Sequence, residues 1–401
     1  MTATKPTILC LASYFKGGRF LEACKRAGAN VLLLTREKLA DEPWPMDAID
    51  ERFLMPDLHR QPDVTHTVSY LARSRAIDRI IALDEYDTLT VSGLREHLRV
   101  PGMGETTGRY FRDKLAMRVR AREAGLQVPD FIHVLNHDAL AAFMQQGGGP
   151  WVLKPRAEAS AMGIKKIHSE AECRQALETL GDRQSDFLLE QFVPGDVFHV
   201  DAVVWDGEVI FSAVHQYGAP PMDVYQGGGV FATRTLPYGG ETTKTLNHLN
   251  RQLLSAFGMV RGVTHGEFIR SRDDGQFHFL EVAARVGGAG IDQLVEAATG
   301  LNLWEAWAEL EVAAACKDTY HLAPTRTDYA ALLVCLAHQE HPDLSSYADP
   351  EVVWRLDKPH HAGLIIASSD EARVDALLQD YTRRFAEEFL TTRPPLEKAP
   401  E

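Results

Sequence analysis

The sequence is poor in cysteine, in net positive charge and in long apolar runs. Its 401 residues include five cysteines, Cys10, Cys24, Cys173, Cys316 and Cys335, scattered and odd in number. None has the paired spacing of a metal site, so reduced, mostly buried thiols of a cytoplasmic protein are expected. Lys and Arg number 42 against 56 Asp and Glu, a net charge of −14. That balance argues against broad binding to nucleic acid or an anionic membrane, though a local basic pocket is compatible with it. The apolar runs fall far short of a membrane span. The opening Met-Thr-Ala-Thr-Lys-Pro lacks the apolar core of a signal peptide. Internal repeats and low-complexity tracts are also missing. Ser13-Tyr-Phe-Lys-Gly-Gly18 lacks the spacing of a dinucleotide-binding loop and reads as a tight turn between strand and helix.

What is present is ordinary for a globular chain, 45% hydrophobic and 24% charged, with length for two or three domains. Apolar runs at 7–13, 30–35 and 77–83 alternate with helical stretches, which predicts βαβ units and a parallel sheet. Near Pro101-Gly102 the pattern changes. Residues 110–124 read as one basic helix carrying Arg112, Lys114, Arg118, Arg120 and Arg122, with Phe111, Leu115 and Val119 on its apolar face. Gly125 and Pro129 end it. A strand over Trp151–Pro155 and a second over 163–167 suggest a hairpin. Ser169 and Glu172 form a capping box for a helix ending at Gly181. Residues 187–193 read as a strand stopped by Pro194-Gly195. Asp206-Gly207 predicts a hairpin between 198–205 and 208–217. Gly227-Gly-Gly229 falls in a long polar loop, a candidate lid. Helices are expected over 291–298 and 303–315. Strands follow at 330–336, 352–356 and 363–367. Ser368 and Glu371 then cap a helix with Val374, Leu377, Leu378, Tyr381, Phe385 and Phe389 on one side, and the end from Arg393 looks frayed.

The densest chemistry lies in residues 275–290. They read as a strand bearing Glu281, then Arg285, then Gly287, Gly288 and Gly290. A carboxylate for a cation, a guanidinium for a phosphate and glycines for close approach suit a nucleoside triphosphate. Residues 263–270 precede the same turn, and the two runs read as a hairpin. A three-residue loop at Asp273-Asp274-Gly275 puts Glu267 opposite Glu281, with Cβ atoms roughly 5 Å apart. A two-residue loop would make them diagonal neighbours. Such a pair suits a hard divalent cation. The plain alternative is two solvated glutamates on an exposed strand face.

Lys114 in Arg-Asp-Lys-Leu, Gly125-Leu-Gln-Val-Pro129, Val152-Leu-Lys-Pro155, Leu189-Glu-Gln-Phe-Val193 with Pro194-Gly195, and Glu267 with Glu281-Val-Ala-Ala-Arg285 occur in order. This succession, over roughly residues 1–315, resembles the ATP-grasp superfamily. The resemblance implies a mixed α/β and α+β fold in four parts: an N-terminal parallel α/β domain (1–108), a small lid (109–186), an antiparallel-sheet catalytic part (187–318) and a C-terminal α+β tail (319–401). ATP and Mg2+ are the implied cofactors, with Mn2+ as a substitute. Lys114 and Lys154 would contact phosphates. Glu190, Gln191, Phe192 and Val193 would form the adenine strand. Glu267 and Glu281 would hold the metal, and Arg285 would steady the transferred phosphoryl group.

There are departures from the family pattern. Ala283 stands where many members carry a metal-binding asparagine. The ribose-binding acid falls near Val197, with Asp196 or His199 as substitutes. The loop 156–163 has one glycine. The Glu-x-Ala-Ala-Arg-x-Gly-Gly form and the C-terminal tail look most like the L-amino-acid ligases. That implies amide formation from a carboxylate and an amine, most simply amino acids, through an acyl phosphate, without nucleic acid or membrane; a homodimer is left open. The alternatives are a biotin-carboxylase-like enzyme, for which no biotin-carrier segment is evident, and a non-catalytic nucleotide-binding protein.

Overall fold

The computed structural model describes residues 5–159 and 161–394. Three sheets organise it. The first is parallel and contains β1 (Thr7–Ala12), β2 (Asn30–Arg36), β3 (Glu51–Met55) and β4 (Arg79–Ala82), in the order β3-β2-β1-β4. β1 lies between β2 and β4, with Leu9 beside Leu32 and Ile80. Both faces of β1 are buried, which explains its unbroken apolar run. β3 was not legible as a strand because it lies at the edge, where Glu51, Arg52 and Leu54 are not buried. One face of this sheet shares a core with the helices Ile291–Thr299 and Leu303–Cys316, so the N-terminal sheet packs against that later part of the chain.

The second sheet is antiparallel: β5 (Phe131–His133), β6 (Trp151–Pro155), β7 (Lys165–Ile167) and β8 (Phe187–Gln191), ordered β5-β8-β6-β7. β6 and β7 form the expected hairpin. Half of the expected capping box is present: Ser169 Oγ accepts from Glu172 N–H at 3.1 Å, whereas Glu172 accepts from His168 N–H at 2.8 Å, one residue before the cap.

The third sheet has eight strands: β9 (Gly195–Trp205), β10 (Glu208–Tyr217), β11 (Phe231–Thr235), β12 (Gly262–Ser271), β13 (Phe277–Ala283), β14 (Tyr329–Leu336), β15 (Val352–Arg355) and β16 (His361–Ser368). Their order is β13-β12-β9-β10-β11-β14-β16-β15. Asp206 and Gly207 both have positive φ, 51° and 80°, in a two-residue turn closed by Trp205 and Glu208. That is the twist a tight hairpin requires. The strands of the C-terminal tail extend this sheet, because β14 pairs with β11.

Three local expectations need correction. The segment 224–235, expected as one polar loop, contains the end of a short helix, Pro221–Gly227, and the whole of β11. The C-terminal helix is capped by Asp370, which accepts from Ala372 N–H; Ser368 instead accepts from Asp370 N–H. The basic helix expected over 110–124 is shorter. Asp113 caps a helix that begins at Lys114 and ends at Glu123, after a short helix at Glu105–Arg109. Its buried face is Lys114, Met117, Arg118 and Ala121, whereas Val119 is 44% exposed. The end expected to fray from Arg393 lies largely outside the described residues. No helix among the described residues is long and apolar enough to cross a membrane.

Candidate active site

The β12/β13 hairpin sets the central geometry. Its turn is longer than expected. Ser271 N–H donates to Gln276 C=O, so four residues, 272–275, form the loop. The ladder beside it pairs Arg270 with Phe277 and Phe268 with Phe279. Continued without interruption, that register would set Glu267 opposite Leu280. A bulge instead leaves Leu280 without a counterpart, and Glu267 pairs with Glu281. The two carboxylates therefore share a face, as the sequence predicted, although the three-residue turn behind that reasoning is absent.

Each carboxylate has a distinct partner. Lys114 Nζ lies 2.8 Å from Glu281 Oε2 and donates to Glu158 C=O at 2.6 Å. Glu267 Oε1 accepts from Tyr217 Oη at 2.7 Å. Burial pushes Glu267 up, but His265 and Tyr217 stabilise the charge and leave its carboxyl below the ordinary range. The Tyr217 phenol is pushed well above its usual value by burial and by the Glu267 charge. Two oxygen ligands on one face, with a lysine against one of them, form a donor set that suits a hard divalent ion. Ala283, at the position of the usual asparagine, offers no further ligand, and it faces His265 across the ladder.

Glu190, on β8, is buried between two cations. Lys154 Nζ lies 2.6 Å from Glu190 Oε2, and Arg118 Nε lies 2.7 Å from Oε1. Burial raises Glu190, yet Arg118 and Lys154 overcome it and lower its pKa; burial also lowers Lys154. The Nη groups of Arg118 are buried without a hydrogen-bond partner among the described residues. Two cations around one carboxylate, with guanidinium donors to spare, suit a polyanionic ligand. At the end of β8, Gln191 N–H donates to Asp130 C=O and Phe192 N–H to Pro150 C=O. The Val193 N–H makes no hydrogen bond among the described residues and is available to read a base edge.

Arg285 closes the site toward the N-terminal sheet. Its Nε and Nη2 hold Glu85 Oε1 at 3.1 and 2.6 Å, and Arg112 approaches the other oxygen at 3.5 Å. Burial would raise Glu85, but Arg285 and Arg112 hold it at about 2. Glu281 contributes electrostatically to both Lys154 and Arg285, and Lys114 to Glu85, so these groups belong to one charged cluster.

Two ribose candidates are placed differently. Asp196 is half-exposed and pairs with Arg272 at 3.1 Å and Arg270 at 3.7 Å. His199 is a correction: it is fully buried, with Nδ1 on Asp201 at 2.7 Å and Nε2 on Thr233 at 2.8 Å. A ring with both nitrogens engaged and no solvent access does not hold a ribose. His199 belongs to a buried network with Asp201, His265 and the stacked ring of His215.

Sequence reasoning missed Glu85, Arg112 and Arg118 as members of the site, along with the histidine network. Arg118 carried a signal, because it lies one helical turn after Lys114 and so shares its face. Glu85 follows the C-terminal end of β4, where open parallel sheets place ligands.

Residues 148–293 match the family model described as the ATP-grasp domain. The chain therefore contains an ATP-grasp domain, and the curated proteins it is similar to are ligases of the kind that form C–N bonds. Among curated proteins it is similar to an L-arginine-specific L-amino acid ligase of Bacillus subtilis, 25% identical across 71% of this chain and 69% of that one. It is also similar to a D-alanine–D-alanine ligase of Acidovorax ebreus, 33% identical, but only across 27% of this chain and 33% of the relative's length. Among solved structures, an L-amino acid ligase from Bacillus licheniformis superimposes with a TM-score of 0.76 at 17% identity, covering 98% of this chain and all of the other. An N5-carboxyaminoimidazole synthetase from Staphylococcus aureus, complexed with ADP, gives 0.72 at 15% identity, covering 96% and 99%. At these identities the structures speak for the fold alone.

Proposed function

We propose that this protein joins two amino acids, or an amino acid and another small amine, in an ATP-dependent reaction that passes through an acyl phosphate. The observation that carries the reading is the opposed pair Glu267 and Glu281, with Lys114 on Glu281 and with Lys154 and Arg285 in the same charged cluster. In the first step a substrate carboxylate oxygen attacks the γ-phosphorus, the bond to the β-bridging oxygen breaks, and ADP leaves. In the second, an amine attacks the acyl carbon and phosphate departs, with loss of the amine proton. Carboxylate itself resists attack because it would have to expel oxide or hydroxide; phosphate is a far better leaving group.

The chain's residues act by positioning and by neutralising charge. Lys114 and Lys154 exchange their present carboxylate partners for phosphate oxygens. Gln191 and Val193 read adenine through the backbone, Glu190 reads its exocyclic amine, and Phe192 flanks it. Asp196 remains the ribose candidate. Arg285 steadies the transferred group while Glu85 orients its fork. Glu267 and Glu281 would hold Mg2+, or Mn2+ in its place, and the ion would supply charge neutralisation for the phosphates. The four segments 1–108, 109–186, 187–318 and 319–401 are proposed as the working parts, with nucleotide between the second and third.

The similarity to L-amino acid ligases supports amino acids as the substrate class; it does not assign arginine to this chain. A panel of amino acids, tested singly and in pairs with Mg-ATP and an ADP readout, tests the reading. ADP release that requires a pair of amino acids and yields an amide is expected. ADP release that requires bicarbonate, or nucleotide binding without turnover across the panel, would overturn it.

A further inference from the structure

A second site lies away from the nucleotide cluster. Between the N-terminal sheet and the start of β12 is a cavity of about 300 Å³. That is the lower end of the range for small-molecule sites. Met103, Met259 and Trp307 give it apolar walls, and Arg95, Arg261 and Glu311 give it charge. Arg79 stands just behind, with its Nε 3.5 Å from Glu311. Three guanidiniums therefore surround a single buried carboxylate.

That carboxylate does not satisfy them. Arg261 reaches Glu311 through Nε alone, at 3.2 Å. The buried Arg79 Nε makes no hydrogen bond among the described residues. Arg95 is held by carbonyls, Nε on Ile80 C=O at 2.8 Å and Nη1 on Met103 C=O at 3.5 Å, and meets no carboxylate directly among the described residues. Burial, with Arg261 and Arg79 nearby, lowers the Arg95 pKa to about 10 in spite of Glu311. Gly102 makes room for it: a Cβ there would come 2.7 Å from Arg95 Cδ. Three guanidiniums around one carboxylate, only Arg79 of them buried, are an incompletely compensated cationic cluster, and an anion entering the cavity offsets that imbalance.

We propose that this cavity binds a small organic oxyanion, with a carboxylate or phosphate head on Arg95 and Arg261 and a short apolar body against Met103, Met259 and Trp307. The site has a physical route to the chemistry. Its walls include Ala284, the neighbour of Arg285, and Thr88, at the start of the helix that follows Glu85. The Arg285–Glu85 ion pair thus ties together the same two elements that the ligand would touch, so occupancy bears on how firmly Arg285 is held.

Calorimetry on the full chain with hexanoate and with phenyl phosphate tests this and separates the two head groups. The expected result is saturable binding of at least one probe, weakened at least about tenfold by Arg261→Gln through loss of a charge-assisted contact. Met103→Trp, which fills the cavity without changing charge, should weaken it as well. Lys154→Ala should leave it unchanged. Absence of binding by both probes would overturn the proposal. So would binding lost in Lys154→Ala but retained in Arg261→Gln and Met103→Trp, because the anion would then be in the nucleotide site.

Discussion

Glu267 faces Glu281 across the β12/β13 ladder because one residue, Leu280, bulges out of β13 between a four-residue turn and the carboxylate pair. The bulge re-aims a strand so that two like charges meet, an arrangement that needs a cation. Lys114 supplies part of it through Glu281. If the pair is a metal clamp, Glu281→Gln should raise the Mg2+ concentration needed for half-maximal ATP turnover at least about tenfold while the variant still folds, as read by circular dichroism. An unchanged Mg2+ dependence would return Glu281 to the role of a solvated strand residue.

Lys154 should carry nucleotide affinity. Its alternative partner, Glu190, is in place without ligand, so Lys154→Ala removes a phosphate donor and leaves Glu190 with Arg118. Loss of a charge-assisted contact worth roughly 1.5–3 kcal/mol predicts ATP binding weaker by about 10- to 100-fold. Calorimetry with Mg-ATP measures it, and an affinity within about twofold of the parent would contradict the role.

Glu190 itself should matter for folding. It is buried against Arg118 and Lys154, and Glu190→Gln would leave two cations facing a neutral amide. Breaking a buried ion pair costs about 3–5 kcal/mol. A urea titration of this variant should show a loss of that order, and a midpoint equal to the parent's would count against the triad.

Much of this site was legible because its chemistry sits in short ordered strings: a lysine before a helix, a lysine on a strand, a glutamate on each arm of a hairpin. What escaped notice follows from what periodicity measures. Counting apolar residues placed Phe111, Leu115 and Val119 on the buried face, but Val119 is exposed and Arg118 is fully enclosed. Cations with carboxylate partners took the inner side, and no apolar count detects that. Glu85 and Arg285 are 200 residues apart, and their contact exists only once the N-terminal sheet packs on the later part of the chain. β11 was hidden because its five residues follow a glycine run and have no alternation long enough to stand out.

The buried histidines predict a stability profile with two limbs. His265 lies between Asp201 and Glu267; burial lowers its pKa, but the carboxylates prevail and raise it to about 10. The folded protein keeps a proton that the unfolded chain releases above about 6.5, so this stability is full below that pH and is lost as pH rises through 10. His215 is the reverse case. Burial and the neighbouring His199 charge lower it to about 3, so the folded protein refuses a proton that the unfolded chain accepts. Its contribution is lost as pH falls from about 6.5 toward 3. Melting temperatures across pH should show a flatter alkaline limb for His265→Gln and a flatter acid limb for His215→Phe. Limbs that stay parallel to those of the parent would rule out these protonation states.

The central claim is that a substrate carboxylate is phosphorylated before an amine attacks it. Amino acids labelled with oxygen-18 in the carboxylate test it directly, with phosphorus NMR reading where the label goes. An acyl phosphate transfers one labelled oxygen to the released phosphate, because that oxygen bridges carbon and phosphorus until the amine expels it. Labelled inorganic phosphate beside unlabelled ADP is the predicted result. Label in AMP with release of pyrophosphate, or unlabelled phosphate accompanying amide formation, would contradict it.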